Sequence, residues 1–326
     1  MTMGLSVVMP CRNEVMCEFT VRRLLETRQG VDLDIVVVED GSDRKYVFPD
    51  APAGSSVTMI RLPQPIGLCY CRDLGIEAAT NDAVLVLDAH SNFWNDDGYT
   101  EYLVDYAHTH TNHIGCAISV QLRENEMDME PARGRYWGAR MILFDKCRTG
   151  RYTIFPSKWD GSAKTLAVAG QAGEIQSILG GAYLLNRAWY FQIGRPWRYL
   201  RGWGTSEQNI SIPNWLMGGM NVLLPVEIGH MYRTGDYNSV PYKTFFADIY
   251  YNQIRLASVL PVPDELRDRL IAHVYRNNIG KGDDMRIAAH TKACPVQGYA
   301  DLLTAAPRSW AEYVERWSVD TSKWEG

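Results

Sequence analysis

The sequence predicts an α/β protein built on a mostly parallel sheet. Three observations carry this. Short apolar or β-branched runs recur through the first 120 residues, helix-period stripes separate them, and two of the runs end on acidic clusters. Leu5-Ser6-Val7-Val8-Met9 reads as the first strand, closed by Pro10, and Met16, Phe19, Val21, Leu24 and Leu25 mark a helix ending near Gly30. Ile35-Val36-Val37-Val38 is a β-branched run of the kind buried on both faces of a parallel sheet. A strand at 57–62, a helix at 66–79 and a strand at 83–87 follow. Tyr99, Tyr102, Leu103 and Tyr106 then mark a helix before a strand at 114–120.

The rhythm is lost over 124–176, which is rich in Arg, Gly and aromatics and reads as long loops or irregular hairpins. A strand returns at 178–185 after Gly180-Gly181, and a helix at 206–217 has to accommodate Pro213. Val222-Leu223-Leu224-Pro225-Val226 is the last strand. From about Thr244 the pattern is helical, with segments at 244–259, 263–277 and 308–317.

Composition excludes several classes. The 326 residues are 46% hydrophobic and 22% charged, near the globular average, which rules out disorder, collagen and coiled coil. No stretch approaches about 18 apolar residues, so no membrane span is expected. The N-terminus runs into a strand with no basic region or cleavage site ahead of it, so no secretory signal is expected. The seven cysteines are odd in number and scattered, and read as free thiols in a reducing compartment. A net charge of −5 argues weakly against a polyanionic partner.

Ligands in such sheets bind beyond the carboxyl ends of the strands. There the sequence places Glu39-Asp40-Gly41-Ser42 and Asp88-Ala89-His90. In an extended segment Asp88 and His90 share a face, and a carboxylate with an imidazole can chelate one divalent cation, Mn²⁺ or a similar metal rather than Ca²⁺. Taken alone, Asp88 is equally a cap and His90 a hydrogen-bonded histidine. Asp40 is equally a turn residue or a ligand of a nucleotide's base or ribose.

The order of the motifs says more. Met9-Pro10-Cys11-Arg12-Asn13-Glu14, Val38-Glu39-Asp40-Gly41-Ser42-Asp43-Arg44, Gly67-Leu68 with Arg72, and Leu87-Asp88-Ala89-His90 follow one another. Leu179-Gly180-Gly181-Ala182, Trp203-Gly204 and Gly229-His230-Met231-Tyr232-Arg233 come next, then Asn252, Arg255 and Ala257. Over residues 4 to 258 this resembles a GT-A glycosyltransferase, in particular the polypeptide N-acetylgalactosaminyltransferase group, related to family 2-type enzymes.

The resemblance implies a GT-A nucleotide-diphospho-sugar transferase fold over 1–240, a Rossmann-like mixed sheet. Its nucleotide-binding half would span 1–122 and its acceptor and sugar half 123–240, with a helical C-terminal extension at 241–326. It implies that Asp40 holds the uracil or ribose of a UDP-sugar, with Pro10, Asn13 and Glu14 in the same pocket. Asp88, His90 and His230 would hold Mn²⁺ or another divalent cation such as Mg²⁺. Arg72 or Arg233 would stabilise the departing diphosphate, and Gly180 and Gly181 would let backbone approach the sugar. Trp203 belongs to the acceptor-loop signature. The family's glutamate position, counted back from Gly218-Gly219, falls on Ser206, with Glu207 one residue later. Glu207 is the candidate carboxylate and Asn209 its neighbour. Retention at the anomeric carbon is implied by the family, whereas an inverting enzyme would use Glu207 as general base.

For the acceptor, residues 133–164 carry +6 and residues 187–203 carry +4, interleaved with aromatics. Arg148, Arg151, Trp159 and Arg198 are the candidate contacts. Cations beside stacking rings suit a nucleic-acid groove, so the expected acceptor is a hydroxymethylated base in phage-type DNA. The competing readings are core aromatics with arginines serving the donor, O-glycosylation of protein Ser/Thr or a glycan, and a catalytically silent sugar-nucleotide-binding protein. The family's luminal members carry a membrane anchor and a lectin module. Neither is expected here, so the expected location is the cytoplasm of a bacterium or a phage-infected host.

Overall fold

The protein is described by a computed structural model covering residues 4–93, 99–122, 134–146, 150–168, 170–232 and 241–320. Its first third runs β1 (Gly4–Cys11), α1 (Cys17–Glu26), β2 (Asp32–Asp40), β3 (Ser56–Leu62), α2 (Leu68–Ala78), β4 (Ala83–Leu87), β5 (Ser91–Asn92), α3 (Tyr99–Thr109) and β6 (His113–Leu122). The middle holds β7 (Arg135–Tyr136), β8 (Ala139–Met141), β9 (Phe144–Lys146), β10 (Tyr152–Ile154), β11 (Ser157–Trp159), α4 (Lys164–Val168) and β12 (Gly173–Glu174). Then come β13 (Ala182–Asn186), α5 (Arg187–Gln192), α6 (Ser206–Leu216) and β14 (Met220–Met231). Five helices close the chain: α7 (Phe246–Val259), α8 (Asp264–Tyr275), α9 (Lys281–Ala293), α10 (Gln297–Thr304) and α11 (Trp310–Trp317).

The main sheet has the order β12-β14-β6-β13-β4-β1-β2-β3, with β5 on β14 and β7 on β6. Pairings among β4, β1, β2 and β3 are parallel, as is β6 with β14. The sheet is nevertheless mixed, because β13 lies antiparallel between β4 and β6. The excursion after β6 brings the chain back into the sheet at the carboxyl end of β4, where Ala182 pairs with Leu87, so β13 must run backwards.

Alternation along β1 fills both faces of this sheet. Leu5, Val7 and Met9 pack with Val21, Leu24 and Leu103 on one side, whereas Val8 packs with Ile76, Val86 and Tyr183 on the other. A third core joins the 139–159 hairpins and α6 to the C-terminal helices through Phe155, Ile212, Trp215, Tyr251, Leu270 and Tyr313. The helical extension therefore shares a core with the acceptor-side hairpins. Pro213 stays inside α6 although an interior proline costs about 3 kcal/mol. Complete burial of Ile210, Ile212 and Leu216 offsets this at about 1.5–3 kcal/mol per side chain. Pro225 sits where β14 shifts register against β6, between Leu224 and Glu227, an irregularity that tolerates a residue without an N–H.

The six described cysteines are buried and free. Among the described residues no helix is long and apolar enough to cross a membrane.

Candidate metal and nucleotide site

The site forms where β4, β13 and β14 meet. β4 stops at Leu87, and Asp88 then donates its backbone N–H to the Gly181 carbonyl at 2.7 Å. Residues 88–90 are a turn rather than continued strand, so strand alternation does not bring Asp88 and His90 together. The turn is pinned by the buried Thr20, whose hydroxyl donates to the Ala89 carbonyl at 3.1 Å and the Ser91 carbonyl at 2.9 Å. β5 then pairs with the end of β14, setting His230 opposite Ser91.

Asp88, His90 and His230 thereby present ligand atoms that all lie within 4.8 Å of one another. The two imidazole centroids are 4.7 Å apart, and His230 Nε2 is 3.2 Å from Asp88 Oδ2. Burial holds His230 below the usual histidine pKa, against the raising effect of Asp88, so its imidazole is neutral near pH 7. Burial pushes Asp88 up, but its hydrogen bond with His230 and the Arg72 guanidinium outweigh this and hold it well below the usual carboxylate range. His230 also keeps its Nδ1 buried without a hydrogen-bond partner. One carboxylate and two imidazoles, with an orphaned buried nitrogen among them, fit a divalent cation of the Mn²⁺ type.

The two sugar-side glycines behave differently. Gly180 has φ +128°, a region side chains rarely adopt, and lines the cavity. Gly181 lies beneath the cluster, where an added Cβ would come 2.9 Å from His230 Nε2 and 3.2 Å from Asp88 Oδ2. A side chain there would displace the ligands.

Glu14 lines the cavity and also contacts the cluster. It is 4% exposed, and its Oε2 lies 3.1 Å from His90 Nδ1. A proton on Nδ1 donated to Glu14 leaves the His90 Nε2 lone pair for a cation, the outer-shell arrangement common to metal-binding histidines.

The cluster opens into a cavity of about 960 Å³. Pro10 and Asp40 line its nucleotide side. The Asp40 carboxylate accepts the backbone N–H groups of Ile66 at 2.6 Å and Gly67 at 3.0 Å, so it also shapes the loop entering α2. Asn13 is not part of the wall. In a left-handed conformation (φ 52°), it accepts the Asp43 N–H at 2.9 Å and donates to the Pro241 carbonyl at 3.3 Å, clamping two loops.

Arg72 is buried and joins the two halves of the site. It donates to Asp88 Oδ1 and to Ser206 Oγ, both at 3.2 Å, and lies 4.0 Å from Glu207. Burial disfavours its cation, but Tyr183, Asp88 and Glu207 outweigh this and raise its pKa. Glu207 lines the cavity and accepts the Tyr183 hydroxyl at 2.7 Å, whereas Ser206 takes the Arg72 contact. The one-residue offset thus leaves Glu207 facing the cavity. Asn209 is turned inward, donating to the carbonyls of Thr205 at 2.8 Å and Asn252 at 3.4 Å, so it braces α6 and forms no wall.

On the acceptor side, Arg151, Trp159 and Trp203 line the cavity and Arg198 does not. Trp159 packs 4.8 Å from Tyr136, and the Trp203 loop is held by Asn252, which bonds the backbone of Arg201 and Gly204. Arg148 and Arg233 lie outside the described residues.

Among the described residues, part of the two basic-aromatic stretches is buried or paired with carboxylates. Trp189, Trp197 and Phe155 are buried in the cores. Arg135 pairs with Glu227, Arg140 with Asp160, Lys158 with Asp145, and Arg195 with Asp73 and Glu77. Arg187 donates to the carbonyls of Ile76 and Glu77. The sequence reading also missed cavity residues, notably Arg12, Tyr242, Lys243, Phe245 and Phe246. The Phe245-Phe246 pair was the available signal, absorbed into the predicted helix at 244–259.

Residues 6–158 match the family model for glycosyl transferase family 2. Fold, cluster and match together make the chain similar to GT-A glycosyltransferases of the family 2 type, the match covering just under half of its length. Its relatives include a probable N-acetylgalactosaminyltransferase 6 of Caenorhabditis elegans, 24% identical over 238 residues, covering 69% of this chain and 36% of that protein. Polypeptide N-acetylgalactosaminyltransferase 10 of Mus musculus is 28% identical over 256 residues, covering 73% of this chain and 38% of that protein. The chain therefore spans well under half the length of these relatives. The crystal structure of GalNAc-T7 with UDP, GalNAc and Mn²⁺ shares the fold, with a TM-score of 0.66 and 18% identity over 98% of this chain and 58% of that one.

Proposed function

We propose that this chain is a divalent-metal-dependent glycosyltransferase that moves a sugar, N-acetylgalactosamine in the first instance, from a UDP-sugar to a hydroxyl of a polypeptide. The observation that carries the reading is the Asp88, His90 and His230 cluster opening into the same cavity as Glu207. The names of both relatives support N-acetylgalactosamine as the sugar, and that of polypeptide N-acetylgalactosaminyltransferase 10 supports the polypeptide acceptor. Pairing of Arg135, Arg140, Lys158 and Arg195 with carboxylates, and burial of Trp189 and Trp197, weaken the support for DNA.

The chain's own residues divide the work. Asp88, His90 and His230 would hold the cation, which when bound supplies positive charge to the departing diphosphate. Glu14 orients His90, and Arg72 orients Asp88 while lying 4.0 Å from Glu207. Asp40 fixes the loop at 66–67 and retains acceptor capacity for a base or ribose. Gly180 lets backbone approach the sugar. Glu207, steadied by Tyr183, is placed to accept a hydrogen bond from a sugar or acceptor hydroxyl. Its position facing the cavity also favours an active enzyme over a silent binding protein.

The test is label transfer from UDP-N-acetylgalactosamine, UDP-N-acetylglucosamine and UDP-glucose in Mn²⁺ to a Ser/Thr peptide library, hydroxymethylated DNA or plain DNA. Labelled peptide is expected. Label only in hydroxymethylated DNA would restore the nucleic-acid acceptor and overturn this reading.

A further inference from the structure

We propose that the acceptor is an acidic peptide, in which Asp or Glu residues flank the target hydroxyl and are read by Arg151 and Lys243. This rests on the polypeptide-acceptor reading above and names the kind of peptide. It follows from which cations lining the cavity lack a carboxylate partner. Besides Arg12 and Arg72, the cations lining it are Arg151, Lys243 and Arg286. Besides Glu14, Asp40 and Asp88, the carboxylates lining it are Glu207 and Asp248. Asp248 is 2% exposed and already held by Arg286 at 2.5 Å and His290 at 3.0 Å, so Arg286 is neutralised by the wall itself. Glu207 is engaged by Tyr183 and faces Arg72.

Arg151 and Lys243 form no ion pair among the described residues. Both instead rest on consecutive rings at the start of α7. The Arg151 guanidinium carbon is 3.3 Å from the Phe246 ring centroid, and the Lys243 ammonium is 5.0 Å from that of Phe245. A ring face attracts a cation without cancelling its charge, so both remain available to an anion. The cavity wall also carries Ile154, Pro156, Trp159 and Ile249; Arg151 is half-buried, where its attraction to a carboxylate is less screened, and Lys243 is exposed. A nucleic acid would draw on a long cationic track, whereas two free cations in an apolar-walled cleft match one or two carboxylates of an extended peptide.

Three peptides differing only at positions flanking one Thr, carrying Glu, Gln or Lys, separate the outcomes. In Mn²⁺ and UDP-sugar, kcat/KM is expected to fall in the order Glu, Gln, Lys. The Glu-to-Gln ratio should be about tenfold at about 0.05 M salt and shrink towards unity near 0.5 M. Lys243→Glu should reverse the order, and Arg151→Gln should flatten it. Each ratio is internal to one preparation, so partial misfolding does not produce it. Equal use of the three peptides, or preference for Lys, would overturn the inference and leave the polypeptide reading standing. Variants that raise only the donor KM would also overturn it. Transfer to none of the three removes the polypeptide reading and this inference with it.

Discussion

Gly181 packs directly against the His230 imidazole while its carbonyl accepts the Asp88 N–H, so one residue without a side chain holds two candidate ligands in register. A methyl group at that position would force the His230 ring to move and crowd the Asp88 carboxylate, because the space is already filled by these side chains. Gly181→Ala should weaken Mn²⁺ binding by at least about tenfold, a loss comparable with disrupting an outer-shell partner. Calorimetric titration of Mn²⁺ measures this, and unchanged affinity would show that the cluster tolerates displacement.

Glu14 offers a subtler test, because it holds the candidate ligand His90 through Nδ1 without belonging to the ligand cluster. Glu14→Gln keeps shape but weakens the hold on the His90 Nδ1 proton. Metal affinity should fall about 10- to 100-fold. Activity should recover at raised Mn²⁺, giving a shift in metal dependence rather than an unconditional loss.

Glu207 and Asn209 are close in sequence and opposite in consequence. Glu207→Gln should lower transfer about 10²- to 10⁴-fold with an unchanged melting temperature, as expected of a carboxylate meeting a reacting hydroxyl. Asn209→Ala should instead cost about 1–3 kcal/mol of stability by removing two buried hydrogen bonds that tie α6 to Asn252 and Thr205. Kinetics beside a denaturation curve for each variant decides between the two roles.

Asp248 makes stability pH-dependent. Burial raises its pKa, but hydrogen bonds from His290 and Arg286 outweigh this and set it below the ordinary value. A depressed native pKa means the stabilisation is fully present above the unfolded value, about 3.9, and is lost as pH falls through the native one. Wild type should therefore lose stability below about pH 4 more steeply than Asp248→Asn. Urea midpoints between neutral and acid pH provide the comparison, and parallel curves would exclude this contribution.

The strands β1, β2 and β4 were legible because burial on both faces writes continuous apolar runs such as Ile35-Val36-Val37-Val38. The direction of β13 was not, since five buried residues in a row look the same in either orientation. Helix α9 was hidden for a different reason: Ile287 is its only buried residue among 281–293, so it writes no apolar stripe.

Within the site, Asp88 and His90 could be found from adjacency to a strand end, while His230 was visible only through family resemblance. The role of Glu14 was hidden because its contact with His90 spans 76 positions. Distance also misled the charge reading. Arg195 finds Asp73 across 122 positions and Arg135 finds Glu227 across 92, so a local count saw cations and missed their partners.

The central claim is that Asp88, His90 and His230 make this fold a metal-dependent transferase. The most direct measurement is transfer of labelled sugar from a UDP-sugar to the acidic Thr peptide, titrated with Mn²⁺, for wild type and His90→Ala. The account predicts transfer that rises with Mn²⁺, vanishes with chelator and falls at least about 100-fold in His90→Ala, since removing a ligand should cost at least as much as an outer-shell change. Equal transfer by both proteins, or full activity in chelator, would contradict it.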